Sequence, residues 1–403
     1  MRLGSYAIYM IRMLDNSHTT PLSLYLHVPF CATRCTYCAF NTYTNAQAQI
    51  PAYVAALCNE LYWLGSAVQQ PLHTLFFGGG TPSLLSSSQI ANILATCRTA
   101  FEVLPDAEIT LEVNPISVTS DYFEQVRALG VNRLSIGMQS AHSSELRLMA
   151  RDHDLAAVLR TVRAARAAGF ENLSLDLIFA LPYQTLEMWL ESVQAALALQ
   201  PQHLSMYALE LESGTPMTRD VGRGRLPLPD DDLAAEMYEA ADALAAQHGL
   251  FQYEISNWAQ SGKECRHNLQ YWHNLPYLGA GAGAHGYANG VRYSTVRPIP
   301  EYIARASLQS APLPFPFTAA VEAHEHIDTQ TAMLEHLFTG LRLVRQGVRD
   351  SEFTARFGVS LLEQFGRPFA MLRDQGLLRQ DGDVWRLTDA ARLISNRVFA
   401  ALF

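Results

Sequence analysis

Six short apolar runs, separated by amphipathic stretches, constrain the fold of this chain more than any other feature. The runs are Leu22–Val28, Thr74–Phe77, Ile109–Val113, Arg133–Gly137, Leu173–Phe179 and Leu204–Leu209. The stretches at 50–64, 88–101, 120–129, 154–168, 185–199 and 231–247 carry apolar residues at helical spacing. Strands alternating with helices predict a parallel sheet with helical crossovers. Six such units fit an incomplete (β/α)6 barrel of the α/β class, and an open doubly wound sheet shares the pattern. The polar residues favour the barrel. Cys31, Cys35 and Cys38 follow the first run, Gly78-Gly79-Gly80-Thr81-Pro82 follows the second, and Glu112-Val-Asn-Pro closes the third. Gln139 follows the fourth, Asp176 lies within the fifth, and Tyr207-Ala208 lie within the sixth. Barrel enzymes gather their chemistry at the carboxyl ends of their strands.

The rest of the chain divides by composition. Residues 1–21 read as an N-terminal extension and 22–250 as the partial barrel, with a Pro- and Gly-punctuated segment at 213–230 before its last helix. Residues 251–319 form a segment rich in Tyr, Trp, His, Asn and Gly without clean periodicity, ending in a linker marked by Pro298, Pro300, Pro312, Pro314 and Pro316. Residues 320–403 predict a small C-terminal α+β domain, winged-helix-like, with a strand-turn-strand near Leu377–Leu387 around Asp381-Gly382-Asp383. Its last part, 341–403, holds 10 Arg against 7 acidic residues, too even a balance for a DNA-binding surface.

At 403 residues and 49% hydrophobic content the chain suits a globular enzyme with a substantial core. A net charge of −9 argues against broad binding to nucleic acid or to an anionic membrane. Six cysteines are too few for a disulfide scaffold of this length, and clustering of three points to a reducing compartment and metal binding. Cys58 and Cys97 fall on apolar helix faces and read as core. Lys263 is the only lysine, so Schiff-base chemistry has one poor candidate in a loop. No stretch reaches the roughly 18 apolar residues of a membrane helix. Residues 1–20 lack an export signal, and translation from Met10 or Met13 would still precede the first strand. A cytoplasmic protein is expected.

Cys31, Cys35 and Cys38, spaced C-x3-C-x2-C, suit a four-iron cluster that leaves one iron open to a small molecule, because a full thiolate set is four. Zinc is the alternative, but structural zinc sites favour paired C-x2-C knuckles and four ligands, and His27 lies on the strand rather than at knuckle spacing. The triple glycine reads either as a tight turn or as exposed backbone for a zwitterionic ligand. Glu112 and Asp176 are acids on apolar strands, where they need partners: a ribose diol, or a salt bridge within the barrel. Gln139 and Arg151 complete a polar set suited to ribose, adenine or carboxylate contacts.

Those thiols, with Gly-Gly-Gly-Thr-Pro and Glu-Val-Asn-Pro downstream, resemble the radical SAM superfamily, and more narrowly the oxygen-independent coproporphyrinogen III oxidase group, from about residue 22 onward. The resemblance implies a [4Fe-4S] cluster on Cys31, Cys35 and Cys38 whose open iron chelates S-adenosylmethionine. An electron from the cluster then cleaves a carbon–sulfur bond, and a separate reductant must supply it. The resemblance also implies that Tyr25, Gly79, Gly80, Thr81, Glu112, Gln139, Arg151, Asp176 and Ala208 line the S-adenosylmethionine site, with Tyr37 packing on the adenine.

Two features divide the group. The decarboxylating oxidases carry a further Cys two residues after the third cluster thiol, where this chain has Phe40, and a longer N-terminal segment. His267-Asn-Leu-Gln-Tyr271-Trp272, with Tyr253-Glu-Ile-Ser-Asn-Trp258 and Gly279-Ala-Gly-Ala-Gly-Ala-His285-Gly, resembles the haem chaperones of the HemW type. That implies haem held near His267, with Cys265, His273 or His285 as a second ligand or attachment point. Imidazole is a common haem ligand, and Tyr271 and Trp272 offer flat apolar surface. In the plainer alternative the His-Asn pair makes loop hydrogen bonds and the aromatics pack a core. The expected function is haem delivery to an acceptor haem protein, with a respiratory membrane enzyme as candidate acceptor. Delivery then implies peripheral membrane contact and docking through the C-terminal module. Radical decarboxylation of coproporphyrinogen and a zinc-stabilised interaction protein are the rival functions.

Overall fold

The computed structural model describes residues 20–116 and 118–402. Most of the expected N-terminal extension, with the alternative starts at Met10 and Met13, lies outside the described residues. Strands β1 (Leu22–Val28), β2 (Leu72–Gly79), β3 (Val103–Val113), β4 (Arg133–Gln139), β5 (Leu173–Phe179) and β6 (His203–Ala208) pair in parallel in chain order. The helices that follow them are α1 (Ile50–Ser66), α2 (Ser87–Ala100), α3 (Ser120–Ala128), α4 (Leu155–Ala167), α5 (Leu186–Leu197) and α6 (Asp231–Gln247). The incomplete α/β barrel is therefore present, with β2 and β3 longer at their starts than the apolar runs. Local chemistry starts the helices cleanly. Ser86 and Gln89 form a reciprocal capping box on α2, and Thr119, Asp154, Thr185 and Asp230 each cap the helix that follows.

Each parallel strand alternates in character. Leu22, Leu24, Leu26 and Val28 face α1 and its neighbours in one continuous apolar core, as do Leu75, Phe77, Ile109, Leu111, Leu134, Ile136, Leu173 and Leu175. The alternate residues line the inner face in register: Ser23 beside Thr74 and Glu108, Phe76 beside Thr110 and Arg133, Glu112 beside Ser135 and Ser174, Asp176 beside Ser205. Strands buried on both faces by apolar packing read as continuous hydrophobic runs. Here the inner face is polar, so the helices supply the core and the interior supplies the site.

The segment 251–319, read from sequence as irregular, extends the same sheet at both edges, together with residues 321–326 from the start of the expected C-terminal domain. Strands β7 (Phe251–Glu254) and β8 (Asn257–Ala259) add antiparallel beyond β6. Helix α7 (Arg266–Trp272) follows, and then β9 (Tyr277–Ala280) joins β1 in parallel. Strands β10 (His285–Ala288) and β11 (Val291–Thr295), helix α8 (Ile299–Leu308) and strand β12 (Val321–His326) complete that edge, the strands antiparallel. Strands of three to six residues separated by tight turns leave too little sequence for a periodic signal.

The C-terminal domain has its own core, including Leu337, Phe353, Phe369 and Trp385. Helices α9 (Thr329–Gly340), α10 (Asp350–Phe357) and α11 (Leu361–Asp374) pack on a three-stranded sheet of β13 (Val348–Arg349), β14 (Leu378–Asp381) and β15 (Val384–Leu387). Helix–strand–helix–helix–strand–strand is a winged-helix-like order. No helix among the described residues is long and apolar enough to cross a membrane.

Candidate functional site

The three clustered thiols lie on the loop between β1 and α1, held from several sides. The amide of Cys31 donates to the Tyr43 carbonyl at 3.0 Å, and Gln47 Nε2 donates to the Cys31 carbonyl at 3.0 Å. Thr36, between the other two thiols, donates its amide to Met149 at 3.2 Å and its hydroxyl to Leu148 at 2.8 Å. His27 closes the base: its Nε2 donates to the Asn41 carbonyl at 2.9 Å, and its Nδ1 accepts from the Tyr25 hydroxyl at 3.1 Å. With both nitrogens engaged, His27 has no lone pair for a zinc ion. Among the described residues no group of three or more His, Cys, Asp or Glu side chains could hold a single metal ion. All six cysteines are free thiols.

Burial pushes the Cys31 and Cys38 thiols up, and each is raised further by neighbouring thiols of the same loop. Thiolates in such a place need positive charge. Arg151 supplies it, lying close enough for Cys35 and Cys31 to act on its guanidinium. Its Nη2 donates to the Tyr37 hydroxyl at 3.4 Å, while its buried Nε has no partner. An unpartnered buried guanidinium donor beside three thiols fits an anionic cluster with a carboxylate-bearing ligand.

The end of β2 closes over this loop. Gly80 donates to the Val28 carbonyl and Thr81 to the Phe30 carbonyl, both at 2.8 Å, and the Thr81 hydroxyl reaches Cys31 Sγ at 3.7 Å. Gly79 has φ +115°, and a Cβ there would lie 2.6 Å from the His27 ring; one on Gly80 would lie 2.6 Å from the Phe30 carbonyl oxygen. These glycines are required by close approach to the chain's own His27 ring and Phe30 carbonyl, as the turn reading expects, and the amides of Gly79, Gly80 and Thr81 are all bonded within the chain.

Inside the mouth, Glu112 accepts from the Gly79 amide at 3.2 Å. Burial, then the negative charge of Asp176, pushes its carboxyl up to about 8. Asp176 is itself raised by burial, against hydroxyls from Ser205, Ser135 and Ser174; Ser135 donates to both carboxylate oxygens at 3.0 Å. Neither acid forms a salt bridge within 4.0 Å, although Arg133 acts on both from further away. Two partly open acids aimed at one space suit hydroxyl donors such as a ribose diol. Gln139 is buried at φ +64°, where β4 slips register against β5. That conformation is costly for a side-chain-bearing residue and clusters at functional sites. A Cβ on Gly137 would lie 2.9 Å from Gln139 Nε2 and 3.2 Å from Arg151 Nη2, so these two side chains meet there. Ala208 is exposed at the end of β6.

His267 lies elsewhere, in α7 beneath the inner face. Its ring stacks on Phe76, centroids 5.0 Å apart, and Phe76 in turn stacks on Tyr25 at 6.2 Å. Nδ1 bonds the Thr74 hydroxyl at 2.7 Å and Nε2 the Tyr271 hydroxyl at 2.8 Å. Because Thr74 donates to Ser23 at 2.6 Å, it accepts from Nδ1, and Nε2 accepts from Tyr271. The ring is buried with its lone pair spent, and burial pushes its pKa down to about 3. The expectation that this imidazole carries haem therefore finds no support in the geometry; the plainer reading of the motif describes it better. Cys265 is likewise enclosed, its thiol directed at Glu108 and pushed up to about 12 by burial. Sequence reasoning missed the groups that hold this floor: Glu108, which accepts the first two amides of α7 at 3.2 Å each, and buried Arg133. Acidic and basic residues at the starts of apolar runs were the available signal.

A family model for the radical SAM superfamily matches residues 25–196, and one for the HemN C-terminal domain matches residues 327–394. "Heme chaperone HemW" of Mycobacterium tuberculosis is 39% identical over 386 residues, covering 95% of both chains. The Bacillus subtilis protein of the same description is 37% identical, covering 94% of this chain and 98% of its own. The solved structure of the coproporphyrinogen III oxidase HemN from Escherichia coli superposes with a TM-score of 0.82 at 23% identity, covering 99% of this chain and 93% of that one.

Proposed function

This chain belongs to the HemW family within the radical SAM superfamily, and from that premise we propose that it binds haem and passes it to an acceptor haem protein. The observation that carries the reading is similarity along almost the whole length of relatives described as haem chaperones, 39% over 95% of each chain. Phe40 supports it, standing where the decarboxylating oxidases have a further Cys. The fold it shares with a coproporphyrinogen III oxidase is a scaffold held in common and does not select the reaction.

Within this reading Cys31, Cys35 and Cys38 hold a [4Fe-4S] cluster. Gly79, Gly80 and Thr81 cradle the amino-acid end of S-adenosylmethionine, and Glu112 and Asp176 accept from its ribose. Tyr25, Tyr37, Gln139, Arg151 and Ala208 complete the lining. When bound, the cluster and S-adenosylmethionine supply one-electron reductive cleavage chemistry to the site. The chain's own contribution is position: His27 and Asn41 fix the loop, Arg151 offsets thiolate charge, and the helices keep water from the sheet's outer face. The proposed acceptor is a respiratory haem enzyme at the membrane, approached from the cytoplasm.

Haem titration of anaerobically reconstituted protein, followed by mixing with an apo-haem protein, tests the proposal. Stoichiometric uptake and transfer are expected. Robust formation of protoporphyrinogen from coproporphyrinogen under reducing, anaerobic conditions would overturn it in favour of the oxidase.

A further inference from the structure

A carrier needs an imidazole that cargo can reach, and the structure leaves few. Of the histidines among the described residues, His27, His203 and His267 have both ring nitrogens bonded. His73, His153, His273 and His336 each keep one ring nitrogen buried without a partner, where no porphyrin can enter. His142 is held by the Met188 carbonyl and Glu191. His248 is exposed at the C-terminal end of α6 with Nδ1 on the Leu244 carbonyl, but that helix carries Asp231, Asp232, Glu236, Glu239 and Asp242 and no Arg or Lys, which does not suit two propionates. The exposed rings left are His285, His324 and His326.

Charge separates these three. Haem carries two propionates, so its site needs cations beside the ligand. His324 and His326 stand on edge strand β12 among Glu322 and Glu325. His285 opens β10 on the same face as Arg292, with which its neighbour Tyr287 pairs, and exposed Arg297 lies near it. The two guanidinium charges, after burial, favour its neutral form, which is the form that ligates iron.

The third ingredient is a flat apolar face. Phe40, directly after the thiol loop, is 68% exposed and presents a flat ring to solvent. It adjoins Asn41, whose Nδ2 donates to the Ala282 carbonyl at 2.9 Å and the Arg297 carbonyl at 3.0 Å. A Cβ on Gly283 would lie 2.7 Å from that same Nδ2. Asn41 therefore pins the end of the thiol loop onto the turn that leads into His285. We propose that haem is ligated by His285 on the rim between the thiol loop and the β9–β10 turn, with Phe40 as its apolar face and Arg297 as a propionate partner. This rests on the haem-carrier reading.

The test is haem titration of the full, anaerobically reconstituted chain with resonance Raman and electron paramagnetic resonance of the bound iron. His285→Ala should weaken binding at least tenfold and change the axial-ligand signature, and His285→Gly with added imidazole should restore that signature. Arg297→Glu should weaken binding while leaving the ligand signature as in wild type, and His324→Ala should change neither. Iron and sulfide content serve as the folding control. Wild-type affinity and spectrum in His285→Ala overturn the inference and leave the carrier reading standing. Failure of the wild type to bind haem removes both.

Discussion

At the scale of single residues, Glu112 carries the clearest consequence. Its carboxyl has an ordinary value of 4.5 and is held at about 8 in the fold, chiefly by burial. A raised acid binds its proton more tightly in the folded state, so its contribution to stability is full below about 4.5 and is lost as pH rises through about 8. Glu112→Gln should remove that slope. Thermal unfolding of ligand-free protein should show the variant gaining on wild type between pH 5 and pH 8; parallel curves would mean the carboxyl is not titrating there. S-adenosylmethionine should reverse the order, because a ribose diol donates better to the carboxylate than to the acid, and binding then releases a proton. His267 gives a second residue-scale expectation. His267→Ala strips partners from Thr74 and Tyr271 and a ring from Phe76, which costs about 3–5 kcal/mol for an aromatic-to-alanine change of this kind. Urea unfolding should show that loss while haem affinity, corrected for folded fraction, stays at the wild-type value.

Between elements, the least expected group is Glu60, buried on the core side of α1. Its Oε2 accepts from the Gly281 amide at 2.9 Å and the Tyr302 hydroxyl at 2.5 Å, and its Oε1 accepts from Thr318 at 2.8 Å. One carboxylate thus ties α1 to the turn after β9, to α8 and to the segment before β12. Glu60→Ala leaves three buried donors without an acceptor at about 1–3 kcal/mol each, partly relieved by water, so a loss of about 3 kcal/mol is expected in chemical denaturation. A change under 1 kcal/mol would show that water replaces the knot. The sequence hid this group because an acid within Ile50–Ser66 looks like an ordinary polar position until the partner strands are known. The same limit applied to β7–β12. The six parallel strands were legible because helices of nine or more residues separate them and each contains a short apolar run. The positions of the thiols after β1 and of Glu112 near the end of β3 could be read from strand ends, and Asp176 stood out as an acid inside the apolar run of β5. The burial of His267 was not legible, because a motif names residues without saying which side of the sheet they enter.

For the whole molecule, the segment around α7 is the joint between the barrel and the C-terminal domain. His267 grips the barrel's inner face from one side, and the other side receives arginines from beyond residue 340. The Arg342 guanidinium lies 4.6 Å from the Trp272 ring centre and Arg345 lies 4.8 Å from that of Phe251. Arg356 donates to the Asn274 carbonyl at 2.8 Å, and Arg392 donates to Gln252 Oε1 at 2.9 Å. Ile255 of this segment packs at the edge of the domain's apolar core, and Leu343 joins Tyr253, Ala259, Leu269 and Trp272 in a small cluster of their own, so the interface combines one small apolar cluster with cations on rings and carbonyls. Contacts of that kind are worth about 0.5–2 kcal/mol each. An interface built from them and one small apolar cluster opens before either core unfolds. Replacing Arg342 and Arg356 together by Ala should therefore accelerate hydrogen exchange at α7 and along the domain's facing helix α9 by about tenfold or more, since each 1.4 kcal/mol is a factor of ten. Exchange in Leu111, Leu134 and Leu175 should stay at the wild-type rate, because those strands open only with the barrel. Uniform acceleration throughout would instead mean that the two cores unfold as one unit, and that the motif couples their stability rather than allowing them to move apart.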